Sequence, residues 1–411
     1  EILGTSFDSI DIAEDRDRFE ELLEKLNIKR PEGKAVKKVD DGITAAKELG
    51  YPVLVRPSYV LGGQGMEIAY EELSLKKYLE NAFEEDSENT VLIDKYLLGK
   101  ELEVDALCDS QTVLIPGIME HLERAGVHSG DSITVYPSQN VSEEIKEKIY
   151  TCTEKLGLAL NVKGMINIQF VEYENELYVI EVNPRASRTV PYISKVSSVP
   201  IVDVATKITM GQTLKEMGYE GGVYKTADKI AVKVPVFSTQ KLPQVETSLG
   251  PEMKSTGEVL GLARNFIGGL GKVFATGHIR EVSDKSQPGL LCSVTNREKE
   301  AGIALFRKFA DLGFKLYATP TTAKALEDVG LEVQEVPWQL VQIREMFRRG
   351  EINLVINIPT IGKDPSRPGF KLRRMAVEFG VGCLTALDTA EALCQSIEER
   401  DKYLPFTLEE F

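Results

Sequence analysis

Within eight residues, Glu181-Val182-Asn183-Pro184-Arg185-Ala186-Ser187-Arg188 sets a carboxylate, an amide and two guanidinium groups just after an apolar strand, Leu177-Tyr178-Val179-Ile180. Residues two apart on a strand share a face, so Glu181 and Asn183 point the same way. Upstream, Asn167-Ile168-Gln169-Phe170 reads as a second strand, and the polar turn around Tyr173-Glu174-Asn175 joins the two as a hairpin. That hairpin brings Gln169 close to Glu181. A carboxylate with neighbouring amide oxygens suits Mg²⁺, which takes one or two carboxylates together with phosphate oxygens. Arg185 and Arg188 then suit a small planar oxyanion or a transferring phosphoryl group, because a guanidinium offers paired donors. The plain alternative is a solvated hairpin end with chance charges.

The elements that must hold this hairpin are readable around it. Residues 10–26 pattern as one helix, and 42–49 as another closed by Gly50 at its C′ position. A strand at 52–56, a glycine-bearing turn at 58–65 and a strand at 66–70 read as a flexible hairpin. Segments 90–97, 103–108 and 112–118 read as further strands of a mixed sheet. Helices are expected at 143–158, before the Gln169–Glu181 hairpin, and at 200–210, after it. Beyond about residue 274 the texture changes. A polar stretch, 281–288, reads as a linker. Strands at 289–294, 315–318 and 354–358 then alternate with helices at 298–312, 321–329, 340–349 and 371–379. That alternation marks a small parallel α/β domain. The expected class is α/β and α+β in a multidomain chain.

Three further stretches could meet a nucleotide. The glycines of the 58–65 turn, Gly62 and Gly63 among them, could close bare N–H groups over a triphosphate with Arg56 supplying charge. The competing reading is only a mobile hairpin. Asp94-Lys95-Tyr96-Leu97 leads towards Glu101; such an edge could take adenine on its backbone and ribose hydroxyls on Glu101, or be a solvated loop. Gly126-Val127-His128-Ser129-Gly130-Asp131-Ser132 offers hydroxyl and imidazole donors, although a lone histidine is as readily structural. Gly268-Gly269-Leu270-Gly271-Lys272-Val273 lacks the early glycine and the Ser/Thr of a standard phosphate loop. None of these supplies a nucleophile–base pair, so a hydrolytic triad has little support.

The bulk numbers narrow the class. At 411 residues the chain is too long for one ordinary core. With 42% apolar and 27% charged residues it reads as globular, and a net charge of −15 argues against a nucleic-acid footprint. No apolar run reaches membrane length, and no leader pattern occurs. Five scattered cysteines without CxxC spacing fit a reduced, cytoplasmic compartment, and three histidines without HExxH make zinc improbable. The chain starts at Glu1 in what reads as mid-domain sequence, so a fragment or one section of a divided protein is expected.

Taken in order, the Gly-rich hairpin, acidic strand edge, Gln…Glu-x-Asn hairpin and trailing arginines resemble the ATP-grasp family. Nearly the whole chain resembles the C-terminal half of the large subunits of carbamoyl phosphate synthetases. Long runs carry the resemblance: Ala13-Glu14-Asp15-Arg16, Arg56-Pro57-Ser58-Tyr59-Val60-Leu61-Gly62-Gly63, residues 125–132 and 181–188, and Ser255-Thr256-Gly257-Glu258-Val259. It implies phosphorylation of carbamate by ATP with Mg²⁺ or Mn²⁺, the last step of carbamoyl phosphate synthesis for pyrimidine and arginine pathways. On that resemblance Gln169, Glu181 and Asn183 hold divalent ions, and Arg185 and Arg188 orient carbamate and balance charge. Arg16, Arg56, Gly62, Gly63, Lys95, Leu97, Glu101, Gly126, Val127, His128 and Ser129 surround the nucleotide. Phosphoryl transfer rests on positioning and charge neutralisation, so no nucleophilic side chain is needed.

The last domain resembles the methylglyoxal-synthase-like regulatory domain of the same enzymes. Ala318-Thr319-Pro320-Thr321-Thr322 is a strand end entering a helix, where hydroxyls and N–H groups favour phosphate. The competing reading is a simple helix cap. The resemblance places Ser293, Lys299, Thr319, Thr322, Trp338 and Asn357 at a nucleotide-effector site, with UMP as the candidate from pyrimidine-pathway forms. The implied division is a remnant at 1–20, an ATP-grasp domain at 21–280 with a lid at about 21–95, and a sensor at 281–411. Implied partners are the carbamate-forming half and a glutaminase small subunit, with neither nucleic acid nor membrane. Two other readings stand beside this one: a nucleotide-binding fragment catalytically silent without its other half, and another ATP-grasp carboxylase or ligase. The absence of a biotin-accepting segment weighs against the latter.

Overall fold

A computed structural model describes residues 3–57, 62–85, 90–225, 229–239, 245–274, 287–359 and 364–402. The chain divides into two compact units, Glu1–Lys229 with Gly250–Met253, and Ile230–Leu249 with Lys254–Phe411. At the start of the first unit the expected single helix is two, α1 (Phe7–Glu14) and α2 (Arg16–Leu26). Asp15 causes the break. Its backbone is extended and its carboxylate accepts the Arg18 N–H, so it caps α2 where a continuous helix would need helical geometry.

Strands β1 (Gly33–Val36), β2 (Val53–Pro57), β3 (Glu67–Ala69) and β4 (Val91–Lys95) make an antiparallel sheet in the order β1-β4-β2-β3. Helices α3 (Val39–Leu49) and α4 (Glu72–Glu85) flank these strands in sequence. Ala45, Ala46, Leu75 and Leu79 from them join Val53, Val55, Val91 and Ile93 in one core. Gly50, at φ 75°, closes α3 as its sequence predicts, and α3 begins three residues earlier than the pattern suggested. The expected 52–70 hairpin forms, with Val53 opposite Ala69 and Val55 opposite Glu67. Residues 58–61 of its turn lie outside the described residues.

A larger antiparallel array runs β10-β9-β5-β7-β8, built from β5 (Lys100–Asp109), β6 (Val113–Ile115), β7 (Ile118–Arg124), β8 (Thr134–Tyr136), β9 (Lys163–Tyr173) and β10 (Glu176–Asn183). Segment 112–118, expected as one strand, breaks at Pro116-Gly117. A side chain at Gly117 would lie 2.0 Å from the Tyr136 ring, so the chain passes there only as glycine. Helix α5 (Glu143–Ala159) is capped by Ser142, whose hydroxyl accepts the Ile145 N–H. It buries Ile145, Ile149 and Leu156 against Leu102, Val104, Ala106, Ile166, Ile168, Phe170, Leu177 and Val179, with Phe19 and Leu23 of α2 in the same core. Since strand side chains alternate, this leaves Glu101, Glu103, Asp105, Asn167 and Gln169 on the other face. Helices α6 (Val190–Ser197) and α7 (Ile201–Thr209) and a short β11 (Gly222–Val223) complete the unit.

The second unit opens with β12 (Ile230–Val236) antiparallel to β13 (Gly257–Ala263), followed by α8 (Phe266–Phe274). A Cβ at Gly269 would come within 2.7 Å of Val232, so the glycine run at 268–271 serves close helix–sheet packing and not a phosphate. Then β14 (Gly289–Ser293), α9 (Lys299–Asp311), β15 (Lys315–Ala318), α10 (Pro320–Glu327), β16 (Gln334–Glu335), α11 (Leu340–Arg348), β17 (Leu354–Asn357), α12 (Pro368–Glu378), β18 (Gly382–Leu384) and α13 (Leu387–Glu398) alternate. All five strands are parallel, in the order β16-β15-β14-β17-β18. The expected parallel domain is present. Its first strand is central, so the winding reverses beside β14, the place where such sheets open a crevice at their carboxyl ends. Helix α12 starts at Pro368, ahead of the expected 371, because proline is well suited to a first helical turn.

Candidate functional site

The hairpin that opened the sequence reading forms as expected. Glu174 and Asn175 both have positive φ, 51° and 62°, as a two-residue type I′ turn requires. From that turn the register places Gln169 directly opposite Glu181, and Asn167 opposite Asn183. A β-bulge makes this work. Val179 pairs with Phe170 and Glu181 pairs with Gln169, so Ile180 has no opposite number. The extra residue shifts the alternation, and Val182, not Glu181, turns to the core. Without it the Glu181 carboxylate would point into the hydrophobic layer.

Across β9 the same face continues onto β5, where Glu103 lies opposite Gln169 and Asp105 opposite Asn167. This acidic layer is buried and bonded through Asn167, 1% exposed, whose amide donates to Glu103 Oε1 at 2.7 Å and Asp105 Oδ1 at 3.0 Å. Thr189 Oγ1 donates to Asp105 Oδ2 at 2.6 Å, and His121 Nε2 lies 3.1 Å from Glu103 Oε2. Asn183 Nδ2 donates to Glu181 Oε1 at 3.0 Å, while its Oδ1 accepts from Arg185 Nη2 at 3.0 Å. Gln169 Nε2 donates to Ser129 Oγ at 3.1 Å. Glu103, Asp105, Asn167 and Thr189 were not singled out from sequence. The signal was there: in Glu101-Leu102-Glu103-Val104-Asp105 the acids alternate with core residues.

Burial pushes the Glu101 carboxyl up to about 7; His121 partly opposes this, and Glu103, Glu181 and Glu123 add to it. Burial and the Glu103 charge likewise raise Asp105 to about 6. Between its ordinary value and about 7, Glu101 holds a proton when folded that it releases when unfolded. Its contribution to stability is therefore complete at low pH and is lost as pH rises through 7. Glu101→Gln should flatten that loss. Over pH 5 to 8, without nucleotide or divalent cation, the variant should gain on the order of 3 kcal/mol relative to wild type in urea unfolding. Parallel pH profiles for the two proteins would contradict the assignment.

The expected nucleotide contacts fall into three groups in this unit. Arg16 Nη2 and Arg56 Nε converge on Asp94, at 3.3 and 2.8 Å, so two cations share one carboxylate there. Lys95 Nζ donates to the Gly50 carbonyl at 2.8 Å. Leu97 is buried in a small cluster with Ala125 and Val171, and the Tyr96 hydroxyl donates to the Ala125 carbonyl. Gly126, at φ 99°, has no room for a side chain beside the Tyr96 hydroxyl, 2.7 Å away; half-buried Val127 follows it. His128 Nδ1 accepts the Gly130 N–H at 3.0 Å, and burial lowers its pKa. Its own N–H donates to the Gly250 carbonyl at 2.8 Å. Arg188 Nη1 lies 2.7 Å from Met253 Sδ, and Met253 N–H donates to the Gly62 carbonyl at 2.9 Å. Sequence reasoning missed this 250–253 segment as part of the site.

Among the described residues, no group of three or more His, Cys, Asp or Glu side chains is arranged to hold a metal ion. One carboxylate (Glu181) and two amide oxygens (Gln169, Asn183) on one face still form a hard-oxygen set that fits Mg²⁺ alongside phosphate.

In the second unit four of the six expected effector residues meet at the carboxyl ends of the parallel strands. Ser293 pairs with Asn357, whose Nδ2 reaches the Ser293 carbonyl at 3.5 Å. Thr322 Oγ1 accepts the Val294 N–H at 3.2 Å, and Thr319 N–H donates to the Cys292 carbonyl at 3.1 Å. Lys299 heads α9 but bonds Asn296, and Trp338 follows β16 with 39% of its surface exposed.

Comparison with known proteins agrees with this geometry. Residues 15–217 match the carbamoyl-phosphate synthase L chain, ATP binding domain, and residues 301–385 match the MGS-like domain. The carbamoyl phosphate synthase large chain of Clostridium botulinum (strain Langeland) is 56% identical over 95% of this chain, and that of Clostridium perfringens (strain 13) is 55% identical over 97%. The chain spans 37% of the length of each of these relatives. Among solved structures, a Campylobacter jejuni biotin carboxylase–βγ-ATP complex aligns with TM-score 0.53 and 18% identity, covering 66% of this chain and 67% of that one. Aspergillus clavatus N5-carboxyaminoimidazole synthase aligns with TM-score 0.52 and 13% identity, covering 69% and 76%. These two likenesses bear on the fold, which is the expected ATP-grasp type. No helix among the described residues is long and apolar enough to cross a membrane. The chain belongs to the carbamoyl phosphate synthase large-chain family and carries its ATP-binding domain ahead of an MGS-like domain.

Proposed function

We propose that this chain transfers a phosphoryl group between ATP and carbamate, making carbamoyl phosphate and ADP, in a cytoplasmic enzyme serving pyrimidine and arginine synthesis. The observation that carries the reading is the register placing Gln169, Glu181 and Asn183 on one face, with Arg185 hydrogen-bonded to Asn183. In the forward direction a carbamate oxygen attacks the γ-phosphorus while the bond to the ADP oxygen breaks. Arg185 and Arg188 hold the carbamate and offset charge on the equatorial oxygens, and Arg16 and Arg56 draw the phosphates towards Asp94's side of the site. Glu101 faces the ribose, while Gly62, Gly63, Gly126 and Ser129 bring backbone or hydroxyl donors close. Mg²⁺ or Mn²⁺ held by Gln169, Glu181 and Asn183 would neutralise phosphate charge. In this reading residues 21–280 are the ATP-using domain with its lid at about 21–95, and 281–411 are the sensor. The partners are the carbamate-forming half and a glutaminase small subunit.

Ser293, Thr319, Thr322 and Asn357 at the sheet's carboxyl ends, with Lys299 and Trp338 nearby in sequence, make a nucleoside monophosphate such as UMP the effector we assign. A second reading is favoured by the 37% share of relatives' length: a nucleotide-binding, regulatory piece that turns over only with its other half. One experiment separates the two. The purified chain is incubated with MgADP and carbamoyl phosphate, and ATP is followed. ATP above the blank is expected; none, from a folded chain that binds ADP, would leave the second reading standing.

A further inference from the structure

Arg185 and Arg188 are exposed side chains on the short loop between the end of β10 and the start of α6. Both ends of that loop are buried, and both lead to one carboxylate, Asp105 of β5. At the loop's start the Asn183 carbonyl accepts the Arg185 N–H at 2.8 Å, and Asn183 Oδ1 accepts Arg185 Nη2 at 3.0 Å. Asn183 Nδ2 reaches Asn167 Oδ1 at 3.4 Å, and Asn167 Nδ2 donates to Asp105 Oδ1 at 3.0 Å. At the loop's end Thr189 Oγ1 donates to Asp105 Oδ2 at 2.6 Å. Ser187 also hydrogen-bonds Asp105, and its hydroxyl accepts the Thr189 N–H at 3.1 Å. Asp105 is 2% exposed and Thr189 3%, so the bond between them is shielded from water. Thr189 is the N-cap of α6, where a hydroxyl ordinarily accepts an N–H of the first turn. Here its backbone is helical, φ −78° and ψ −11°, and its side chain makes no cap bond. A hydroxyl has one proton, and the shorter contact takes it: Glu103 Oε1 lies farther away, at 3.2 Å, and is supplied by Asn167 at 2.7 Å. The threonine is turned from its own helix to the acid of β5.

We infer that Asp105 is a positioning residue: its two oxygens fix both ends of the Arg185–Arg188 loop and so set where the two guanidinium groups meet carbamate. The role towards carbamate rests on the function proposed above; the tether itself does not. A carboxylate suits the task because one oxygen takes the donor from β9 and the other the donor at the start of α6, each in a charge-assisted bond. Asp105 is itself held in register, opposite Asn167 in the β5–β9 ladder. The loop thereby takes its place from the sheet, although neither arginine is buried. Phosphoryl transfer depends on such placement, since it needs aligned reactants and offset charge more than a nucleophilic side chain.

Amide hydrogen exchange on the full chain, without ligands, reads the tether as protection at the amides of residues 185 and 189. The Val179 amide, which donates to the Lys29 carbonyl at 2.9 Å in the same unit, is the reference. Asp105→Asn keeps the shape but sets an amide donor against existing donors. It should lower protection at both loop amides at least about tenfold and leave Val179 unchanged. Thr189→Val should do the same at residue 189 and less at Arg185, while Thr189→Ser, which keeps the hydroxyl, should stay within about threefold of wild type. In ATP formation from MgADP and carbamoyl phosphate, kcat/KM for carbamoyl phosphate should fall about 10²-fold in Asp105→Asn. Its KM should rise while KM for MgADP stays within about twofold, a split that simple loss of folded protein does not produce. Wild-type protection at both loop amides in Asp105→Asn, an equal loss at Val179, or Thr189→Ser behaving as Thr189→Val would each overturn the tether. A loosened loop with unchanged kcat/KM for carbamoyl phosphate would overturn its role in placing the arginines. ATP from neither wild type nor variants would count against the phosphoryl-transfer reading and remove that role with it, while exchange, which needs no turnover, still decides the tether.

Discussion

Glu181→Ala should lower the rate of ATP formation from MgADP and carbamoyl phosphate by at least about 10³-fold while leaving the fold intact. Glu181 is the one carboxylate of the Gln169–Glu181–Asn183 set, and it is exposed at the end of β10, so little packing is lost with it. Two effects add. The variant removes the anionic oxygen that would hold the divalent ion, and it frees the Asn183 amide that Glu181 Oε1 accepts. Asn183 in turn holds Arg185 through Oδ1, so the loss reaches the residue assigned to carbamate. Removing one oriented donor from a phosphoryl or oxyanion site costs about 10²–10³ in rate, and loss of the ion's anchor should exceed that. Glu181→Gln separates the contributions: it preserves the shape, and should keep Asn183 ordered but still lose most of the rate for want of charge. Urea midpoints within about 0.3 M of wild type are expected for both, since exposed positions carry little stability. Near-normal turnover in Glu181→Ala would remove the hairpin from the chemistry, and with it the main support for the proposed reaction.

That hairpin was legible because short-range rules govern it. Alternation along 177–180, the polar pair Glu174-Asn175 and the spacing from Gln169 to Glu181 are all local facts. The bulge at Ile180 was not, because an unpaired residue is declared only by the register of the strand opposite. The alternating strands and helices of the second unit were read for the same local reason, while β12 and β13 were overlooked. Lys233 in the middle of β12 is 1% exposed, and such a buried lysine breaks any apolar pattern. Proline at 235 further disguises the strand. The 10–26 helix was misjudged because one capping aspartate looks like any acidic surface residue. The segment 245–249 was invisible in kind: its partners, Arg373 and Thr385, lie more than 120 residues downstream. Long-range polar contacts leave no periodicity in a sequence.

Asn167 is the clearest case of a residue whose importance is tertiary, and Asn167→Leu should destabilise the first unit by about 3–5 kcal/mol. Its amide lies against two acids of β5 and beside Asn183, giving donors to Glu103 and Asp105 and an acceptor to Asn183 Nδ2 at 3.4 Å. Leucine keeps the branched shape but is bulkier, which adds some overpacking; the larger cost is electrostatic, because two buried carboxylates lose a shared donor with no water expected to replace it at a position 1% exposed. Overpacking by itself makes a different forecast, a loss that does not change with pH. Asn167→Asp sharpens the distinction. It removes the amide donor and adds a carboxyl to a layer where burial already raises Asp105 to about 6 and Glu101 to about 7. The new group's folded pKa should also be raised, so its protonated form stabilises the fold at low pH and that help is lost as pH rises. Asn167→Asp should therefore be most unstable near pH 8 and recover towards pH 5, where the added carboxyl can donate as the amide did. Asn167→Leu adds no carboxyl but removes the amide bond that holds Asp105 down, so it should recover towards low pH by less than Asn167→Asp. Urea unfolding at pH 5, 6.5 and 8 resolves the two variants. If both lose the same stability at every pH, the acidic layer is not what Asn167 holds together, and the Glu181 face must owe its shape to packing alone.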